Sequence, residues 1–290
     1  MGWKHTGDDL ISYEDFKAKL DAKITSDDDF YYELLVNVIK YPLRYTGIFR
    51  LSNAKTKLLQ NVTQSHEIKF GDFLEDIVTE YLAIVKYNNI DKNIGADEEG
   101  NQLSADQIFE KNSTYYLVEQ KIRDDHDSTK KRGQFDNFRK KCLRLKRTYP
   151  GSPVIAVMWF IDDSLMKNKK YYEDEIKKNQ EENVEMHIAY GGALFTDGLL
   201  KHPEVWDELC RHLSNNKSER KEEVLSIPDF DTSPEMRQAL NRLQQENPTL
   251  LKKLLSDSPQ YKQLRMELFP TMSNLSEFQG TAGSKSGASC

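Results

Sequence analysis

The chain has 290 residues, a mass of 33.7 kDa and 38% hydrophobic residues, which is enough for one large domain or one domain with an appendage. The formal net charge of −6 excludes a uniformly basic surface but leaves room for a local basic face. No stretch approaches the roughly 18 apolar residues of a membrane span, and no secretory signal opens the sequence. The three cysteines are widely spaced and lack zinc-ligand spacing, so we expect reduced thiols in a cytoplasmic protein.

Helical patterns dominate the first part of the chain. Residues 12–23 and 27–41 are predicted as helices, because Ser12 and Ser26 are plausible N-caps and acidic residues stand in each first turn. The pattern over 44–58 is mixed and predicts no element. A stronger helix is predicted over 71–86, where apolar residues recur at helical spacing, and residues 88–104 form a polar connection.

Residues 106–121 show the pattern of a β-hairpin. An Asn-Ser pair forms the turn signal between two runs of strand-forming residues, and the second run is rich in aromatic and β-branched side chains. Because side chains alternate along a strand, Glu119 and Lys121 are expected on one face. Simple pairing of the two strands places Asp106 close to Glu119.

Two carboxylates and an ammonium at one edge of a sheet can support phosphoryl chemistry. Two hard oxygen ligands hold Mg²⁺ together with waters and a phosphate oxygen, and the ion lowers the pKa of a bound water. Lys121 can orient that water or stabilise developing negative charge. The same Glu-x-Lys spacing is common in ordinary surface hairpins. Glu75, at the edge of the apolar stripe of the predicted helix 71–86, is either a solvated flank residue or a third acid facing this site.

Positive charge is concentrated directly after the hairpin. Residues 122–134 are too polar for a core strand and are predicted as a loop, and residues 134–149 are predicted as a helix with one apolar side. From Lys121 to Arg147 there are eleven basic and four acidic residues, a local balance of +7. Such a run is usually a solvated helix face, and the functional alternative is attraction to a phosphate backbone.

The second half of the chain is predicted to alternate strands and helices. The continuous apolar run 154–161 is typical of a central strand that is buried on both faces. The remaining predictions are a helix over 170–182, a strand over 185–190, an edge element over 193–200, a helix over 203–214, and short helices around 236–245, 248–255 and 261–269.

The order of these elements, with Asp106 followed by Glu119-Gln-Lys121 on a hairpin, resembles the PD-(D/E)xK nuclease core. Many type II restriction endonucleases and several repair nucleases share this core. Glu119 follows Asp106 by 13 positions, which suits the hairpin of that family. Ala105 stands where the motif has proline, at a position that varies in the family. The resemblance covers roughly residues 71–190.

The resemblance implies an α/β fold of the mixed α+β type, in which a central mixed sheet is flanked by helices. This restriction-endonuclease-like core is expected over residues 66–216. A helical N-terminal region is expected over 1–65 and a helical C-terminal region over 217–270. Residues 271–290 are rich in Ser, Gly and Thr and are expected to be disordered.

The resemblance also implies roles for individual residues. Asp106 and Glu119 are expected to bind Mg²⁺, and Lys121 to position or polarise the attacking water. Glu75 is expected to add a ligand or a contact through water. Gln134 matches a position that in some relatives faces the site or the DNA backbone. The residues expected at the DNA are Arg123, Lys130, Lys131, Arg132, Gln134, Arg139 and Lys140, with residues 123–132 placed best to enter a groove.

The resulting hypothesis is a Mg²⁺-dependent type II restriction enzyme that cuts double-stranded DNA at a specific sequence, acts as a homodimer and uses no organic cofactor. Two alternatives stay open: a structure-directed repair or recombination nuclease with the same core, and a non-enzymatic DNA-binding module. A histidine-based metal site is disfavoured, because His66, His126 and His187 are isolated in the sequence.

Overall fold

The computed structural model describes residues 9–24, 28–97, 99–122, 128–196, 198–220 and 227–281. The chain divides into two units, the first made of residues 1–20 and 71–221 and the second of residues 21–70 and 222–290. No helix in the described part of the chain is long and apolar enough to cross a membrane.

In the part of the chain that the structure describes, strands occur only in unit 1. Within the described residues they are β1 (Asn88–Asn89), β2 (Asn93–Ala96), β3 (Gln102–Ser104), β4 (Gln107–Lys111), β5 (Thr114–Lys121), β6 (Val154–Phe160) and β7 (Val184–Tyr190). Five of them form a mixed sheet in the order β1-β4-β5-β6-β7, while β2 and β3 pair as a separate ribbon. β4 is antiparallel to β1 and β5, whereas β5, β6 and β7 run parallel.

Helices occur in both units. Within the described residues they are α1 (Tyr13–Ile24), α2 (Asp28–Lys40), α3 (Leu43–Thr46), α4 (Ala54–Ile84), α5 (Ser128–Thr148), α6 (Lys169–Lys178), α7 (Ala193–Thr196), α8 (Pro203–Glu219), α9 (Pro234–Glu246), α10 (Pro248–Leu255), α11 (Pro259–Leu268) and a 3₁₀ helix (Ser276–Thr281). α5 and α6 are the crossovers that parallel strands require between β5 and β6 and between β6 and β7. The mixed sheet flanked by helices is the fold that the sequence predicted.

One hydrophobic cluster of unit 1 lies between the sheet and α5. Leu117 of β5 and Met158 of β6 contribute to one buried cluster with Phe138 and Leu145 of α5. The apolar run predicted as a central strand is β6, which has a parallel neighbour on each side and is buried along nearly its whole length. This core fixes α5 over the face of the sheet that also carries Glu119.

The β4–β5 hairpin has the register that simple pairing predicts. Asn112 and Ser113 adopt φ angles of +54° and +63°, as the corner positions of a tight two-residue turn require. Lys111 pairs with Thr114 and Gln107 with Val118. Continuing this register by one residue places Asp106, which precedes β4, opposite Glu119.

Several element boundaries differ from the prediction. α4 begins at Ala54 rather than at residue 71, because buried positions recur four residues apart in a stretch whose other residues are mostly polar. The predicted loop 122–134 is helical from Ser128 onward. The polar connection 88–104 contains β1, β2 and β3, and the predicted edge element 193–200 contains the short helix α7.

Unit 2 is helical, and its core joins residues that are distant in the sequence. Leu35 and Ile39 of α2 belong to one buried cluster with Leu240 of α9 and Leu264 of α11. Most of the predicted N-terminal region therefore builds one core with the predicted C-terminal region, whereas residues 1–20 belong to unit 1. Residues 271–281 fall in the tail predicted to be disordered, but Leu275 and Phe278 are buried in this cluster, and Phe278 belongs to the 3₁₀ helix. Residues 282–290 lie outside the described part of the chain.

Candidate active site

The end of the β4–β5 hairpin holds two carboxylates around one lysine. The backbone N–H of Gln120 donates a hydrogen bond to Asp106 Oδ2 at 2.7 Å, which fixes that carboxylate across the end of the hairpin. Lys121 Nζ lies 3.4 Å from Asp106 Oδ2 and 3.3 Å from Glu119 Oε2. The structure thus brings together the side chains of Asp106, Glu119 and Lys121.

Lys121 is held as an ammonium by its neighbours. Burial by itself would lower the pKa of Lys121, but the carboxylates of Asp106 and Glu119 outweigh that effect and raise the pKa above its ordinary value. The lysine therefore carries a positive charge at the point where the two carboxylates meet.

A second lysine, Lys141 of α5, reaches Glu119 from the helix. Lys141 Nζ lies 2.7 Å from Glu119 Oε1, and the two side chains are only 6% and 5% exposed. By its charge alone, Lys141 would be expected with the other basic residues of 134–149 on the solvated side of the helix. The missed signal is its spacing, because Lys141 follows Phe138 by three positions and precedes Leu145 by four, which puts it on the buried face.

Two glutamine side chains attach the hairpin to α4 on the opposite face of the sheet. Gln120 Nε2 donates to the carbonyl of Gly71 at 3.1 Å, and Gln107 Nε2 donates to the carbonyl of Glu75 at 3.0 Å. The side-chain oxygens of both glutamines are buried without a hydrogen-bond partner among the described residues. As the alternation of a strand predicts, Gln120 points away from its neighbour Glu119.

Glu75 does not join the pair of carboxylates. Its Oε2 accepts a hydrogen bond from Lys92 Nζ at 3.2 Å. Burial raises the pKa of Glu75, the nearby carboxylate of Asp106 raises it further, and Lys92 opposes both effects. Within the described ranges, no group of three or more His, Cys, Asp or Glu side chains is arranged to hold a metal ion. The three-carboxylate set expected from the sequence is therefore not assembled in this structure.

Asp106 and Glu119 nonetheless suit a divalent cation by their chemistry. Both carboxylates already approach one positive charge, the ammonium of Lys121, and hard carboxylate oxygens are the ligands that Mg²⁺ prefers. Asp106 Oδ1 has no hydrogen bond to any described residue, so it keeps free coordinating capacity.

The residues predicted to contact DNA fall into three groups. Arg123 lies outside the described residues. Lys130, Lys131 and Arg132 lie in the first turns of α5 rather than in a loop, and Lys131 Nζ sits 4.6 Å from the centre of the Tyr171 ring.

Gln134, Arg139 and Lys140, the third group, are hydrogen-bonded or ion-paired to other side chains of the protein. Gln134 Oε1 accepts a hydrogen bond from the hydroxyl of Tyr172 at 2.9 Å, Arg139 pairs with Glu181 at 2.9 Å, and Lys140 pairs with Asp97 at 3.3 Å. Arg139 and Lys140 are thus partly neutralised, so the basic face of α5 carries less free charge than the sequence alone indicates.

A mixed sheet with a hairpin that presents Asp, Glu and Lys at one end defines a nuclease of the PD-(D/E)xK, restriction-endonuclease-like class. The model of the family described as "Type II restriction endonuclease, HinfI" matches residues 13–97 and 84–217, which is more than half of the chain. The chain belongs to this family, and family membership makes it a DNA-binding nuclease. No curated protein matches the chain significantly.

Proposed function

We propose that this chain is a Mg²⁺-dependent type II restriction enzyme that cuts double-stranded DNA at a specific sequence, with its active site at Asp106, Glu119 and Lys121. The observation that carries this proposal is the convergence of Asp106 and Glu119 on the ammonium of Lys121 at the end of a hairpin. Membership of the HinfI family supports restriction activity.

The proposed chemistry divides the work among these residues. Asp106 and Glu119 would hold Mg²⁺, which when bound supplies a water of lowered pKa and neutralises charge on the scissile phosphate. The ammonium of Lys121 donates hydrogen bonds to the attacking water or to the phosphate oxygens. Lys141 holds Glu119 through the oxygen that does not face Lys121. Glu75 contributes through water at most, because its carboxylate is paired with Lys92.

DNA is bound in part by the N-terminal turns of α5 in this proposal. Lys130 and Arg132 are exposed there, close in sequence to the end of β5, which carries Lys121. Lysine and arginine near a reacting phosphate bind the backbone by charge. Arg123, Lys131, Gln134, Arg139 and Lys140 remain candidate contacts, although Arg139 and Lys140 would first have to exchange their carboxylate partners for phosphates.

We also propose that the enzyme acts as a homodimer in the cytoplasm. A two-fold dimer matches the symmetry of a duplex site and supplies one active site for each strand. The free thiols of Cys142 and Cys210 are compatible with a reducing compartment.

The experiment that tests this function is the digestion of a long, sequenced DNA with the full-length chain, with and without Mg²⁺, followed by sequencing of the ends. The expected result is a discrete set of fragments whose ends share one short sequence and which form only with Mg²⁺. A smear, or cutting only at branches and flaps, would support the structure-directed nuclease instead. Salt-dependent binding without any cleavage would support a non-enzymatic DNA-binding module.

A further inference from the structure

A turn of unit 2 presents large apolar side chains to solvent. Between α3 and α4 the backbone N–H of Arg50 donates to the carbonyl of Gly47 at 3.0 Å, so Ile48 and Phe49 occupy the two corners of a β-turn. The side chains of Ile48 and Phe49 are 91% and 93% exposed, and Leu51 is fully exposed. Turn corners ordinarily carry Gly, Pro, Asn, Asp or Ser. The exposed side chains of Ile48, Phe49 and Leu51 are therefore not explained by the packing of the fold.

The turn is anchored to ordered structure. The backbone N–H of Gly47 donates to the carbonyl of Leu43 at 3.0 Å, and a Cβ at Gly47 would lie 2.4 Å from that oxygen, so glycine is required there. Tyr45 is fully buried, and its hydroxyl accepts a hydrogen bond from Asn61 Nδ2 at 3.0 Å. The exposed side chains are thus displayed in a defined position.

Positive charge surrounds this turn. Residues 34–66 contain five basic residues and no Asp or Glu, in a chain whose net charge is −6. Arg44 and Arg50, on either side of the turn, are exposed, and neither forms an ion pair with a carboxylate of the described residues. Apolar side chains flanked by available guanidinium groups are complementary to a DNA duplex: the guanidinium groups bind phosphates, and the apolar side chains enter a groove against the base steps.

A second copy of the chain fits this surface less well. A two-fold interface places the same patch on both subunits. Arg44 and Arg50 of one copy would then approach the same residues of the other, and like charges facing each other across an interface are unfavourable.

We propose that the turn 47–51, with Arg44 beside it, is a DNA-contacting wedge: Ile48 and Phe49 insert into a groove, and Arg44 and Arg50 bind the flanking phosphates. The proposal rests on the proposed function only in taking double-stranded DNA as the ligand. It adds to the enzyme a binding surface in unit 2 that is distinct from the residues assigned to hydrolysis.

The test compares two double variants of the full-length chain in titrations of a labelled duplex without divalent metal. Because each phosphate contact contributes about one to the slope of log affinity against log salt, Arg44→Ala/Arg50→Ala should lower that slope by about two. Ile48→Ser/Phe49→Ser should weaken binding about tenfold, as expected for lost base contacts, with the salt slope unchanged.

Matched controls come from unit 2 itself. Met266→Ser removes another exposed apolar side chain, and Lys252→Ala/Lys253→Ala removes two exposed charges of α10. Both controls should bind DNA like the wild type. Unchanged binding by the two turn variants would overturn the proposal, as would a turn variant that alters self-association in sedimentation while DNA affinity stays the same.

The wedge and the proposed endonuclease activity can be refuted independently of each other. A wild-type chain that binds duplex DNA through this turn but never cleaves it would refute the endonuclease and leave the wedge standing. A chain that cleaves DNA while its turn variants bind normally would refute the wedge alone.

Discussion

At the scale of single residues, Glu119 is the most constrained side chain of the candidate active site. Its Oε1 accepts a hydrogen bond from Lys141 at 2.7 Å and its Oε2 accepts one from Lys121 at 3.3 Å. Burying a carboxylate is costly unless its charge is compensated and its oxygens are hydrogen-bonded. The two lysines meet both needs, and they hold the carboxylate in one orientation at the edge of the core.

Replacing Lys141 by methionine should destabilise the fold strongly. Methionine fills nearly the same space but leaves one oxygen of a buried carboxylate without its cation, and breaking a buried ion pair from one side costs about 3 kcal/mol. Denaturant unfolding followed by circular dichroism measures the free energy of unfolding. Lys140→Met is the matched control, because Lys140 is exposed and Asp97, its partner, keeps hydrogen bonds from the backbone N–H groups of Glu99 and Asn101 when the lysine is removed.

The double variant Lys141→Met/Glu119→Gln tests why Lys141→Met lowers the free energy of unfolding. If the loss comes from the uncompensated charge of Glu119, the double variant should recover part of the stability, so that the two single losses do not add. Strictly additive losses, or a Lys141→Met variant as stable as the wild type, would contradict this account of the pair.

The residues of the site divide clearly into those that local pattern predicts and those that it does not. The proximity of Asp106, Glu119 and Lys121 follows from strand alternation and hairpin pairing, which act over a few residues. The contact between Glu119 and Lys141 joins a strand to a helix across the core, so it depends on how the two elements pack. Charge alone indicated a solvated position for Lys141, and only its spacing among apolar residues pointed inward.

At the scale of elements, the β4–β5 hairpin positions the site, and its turn is not optimal. Asn112 and Ser113 both have positive φ, which glycine adopts most easily and which asparagine tolerates better than serine. Ser113 also donates its backbone N–H to Glu110 Oε1 at 2.6 Å, a bond that does not depend on its own side chain.

Ser113→Gly is therefore expected to raise stability by up to about 1 kcal/mol, because the strain of a left-handed residue is removed and the Asn-Gly turn is the preferred two-residue hairpin turn. Thermal and denaturant unfolding measure the gain. Ser113→Val is the matched control and should lower stability, since a β-branched residue fits this conformation poorly. A valine variant as stable as the glycine variant would show that the backbone conformation of this turn contributes nothing.

The helix boundaries show where periodicity stops being informative. Ala54, Leu58 and Val62 are buried, but most residues between them are polar and Leu59 is exposed, so the first part of α4 carries a weak sequence signal. The first turns of α5 are rich in charge and look like a loop, yet they continue the helix that packs on the sheet. In both cases tertiary packing overrides a weak local preference.

At the scale of the whole molecule, each of the two units is built from two segments that are far apart in the chain. The core of unit 2 joins residues 34–62 with residues 230–278. The helices of both segments carry apolar faces, but nothing in either segment indicates which faces pack together. The class of fold could be predicted because the strand and helix patterns of unit 1 are local. The assembly of unit 2 could not, because it depends on contacts between distant helices.

The measurement that tests the central claim most directly is single-turnover cleavage of one defined duplex site with Mg²⁺ by the wild type and by Asp106→Asn, Glu119→Gln and Lys121→Met. Asp136→Asn and Lys252→Met, at exposed positions, are the matched controls, and circular dichroism verifies that every variant is folded. We expect each of the three site variants to lose at least about 100-fold in rate, as when a group that stabilises the transition state is removed, and both controls to cleave normally. Full cleavage by all three folded variants would contradict the account and remove the active site from this hairpin.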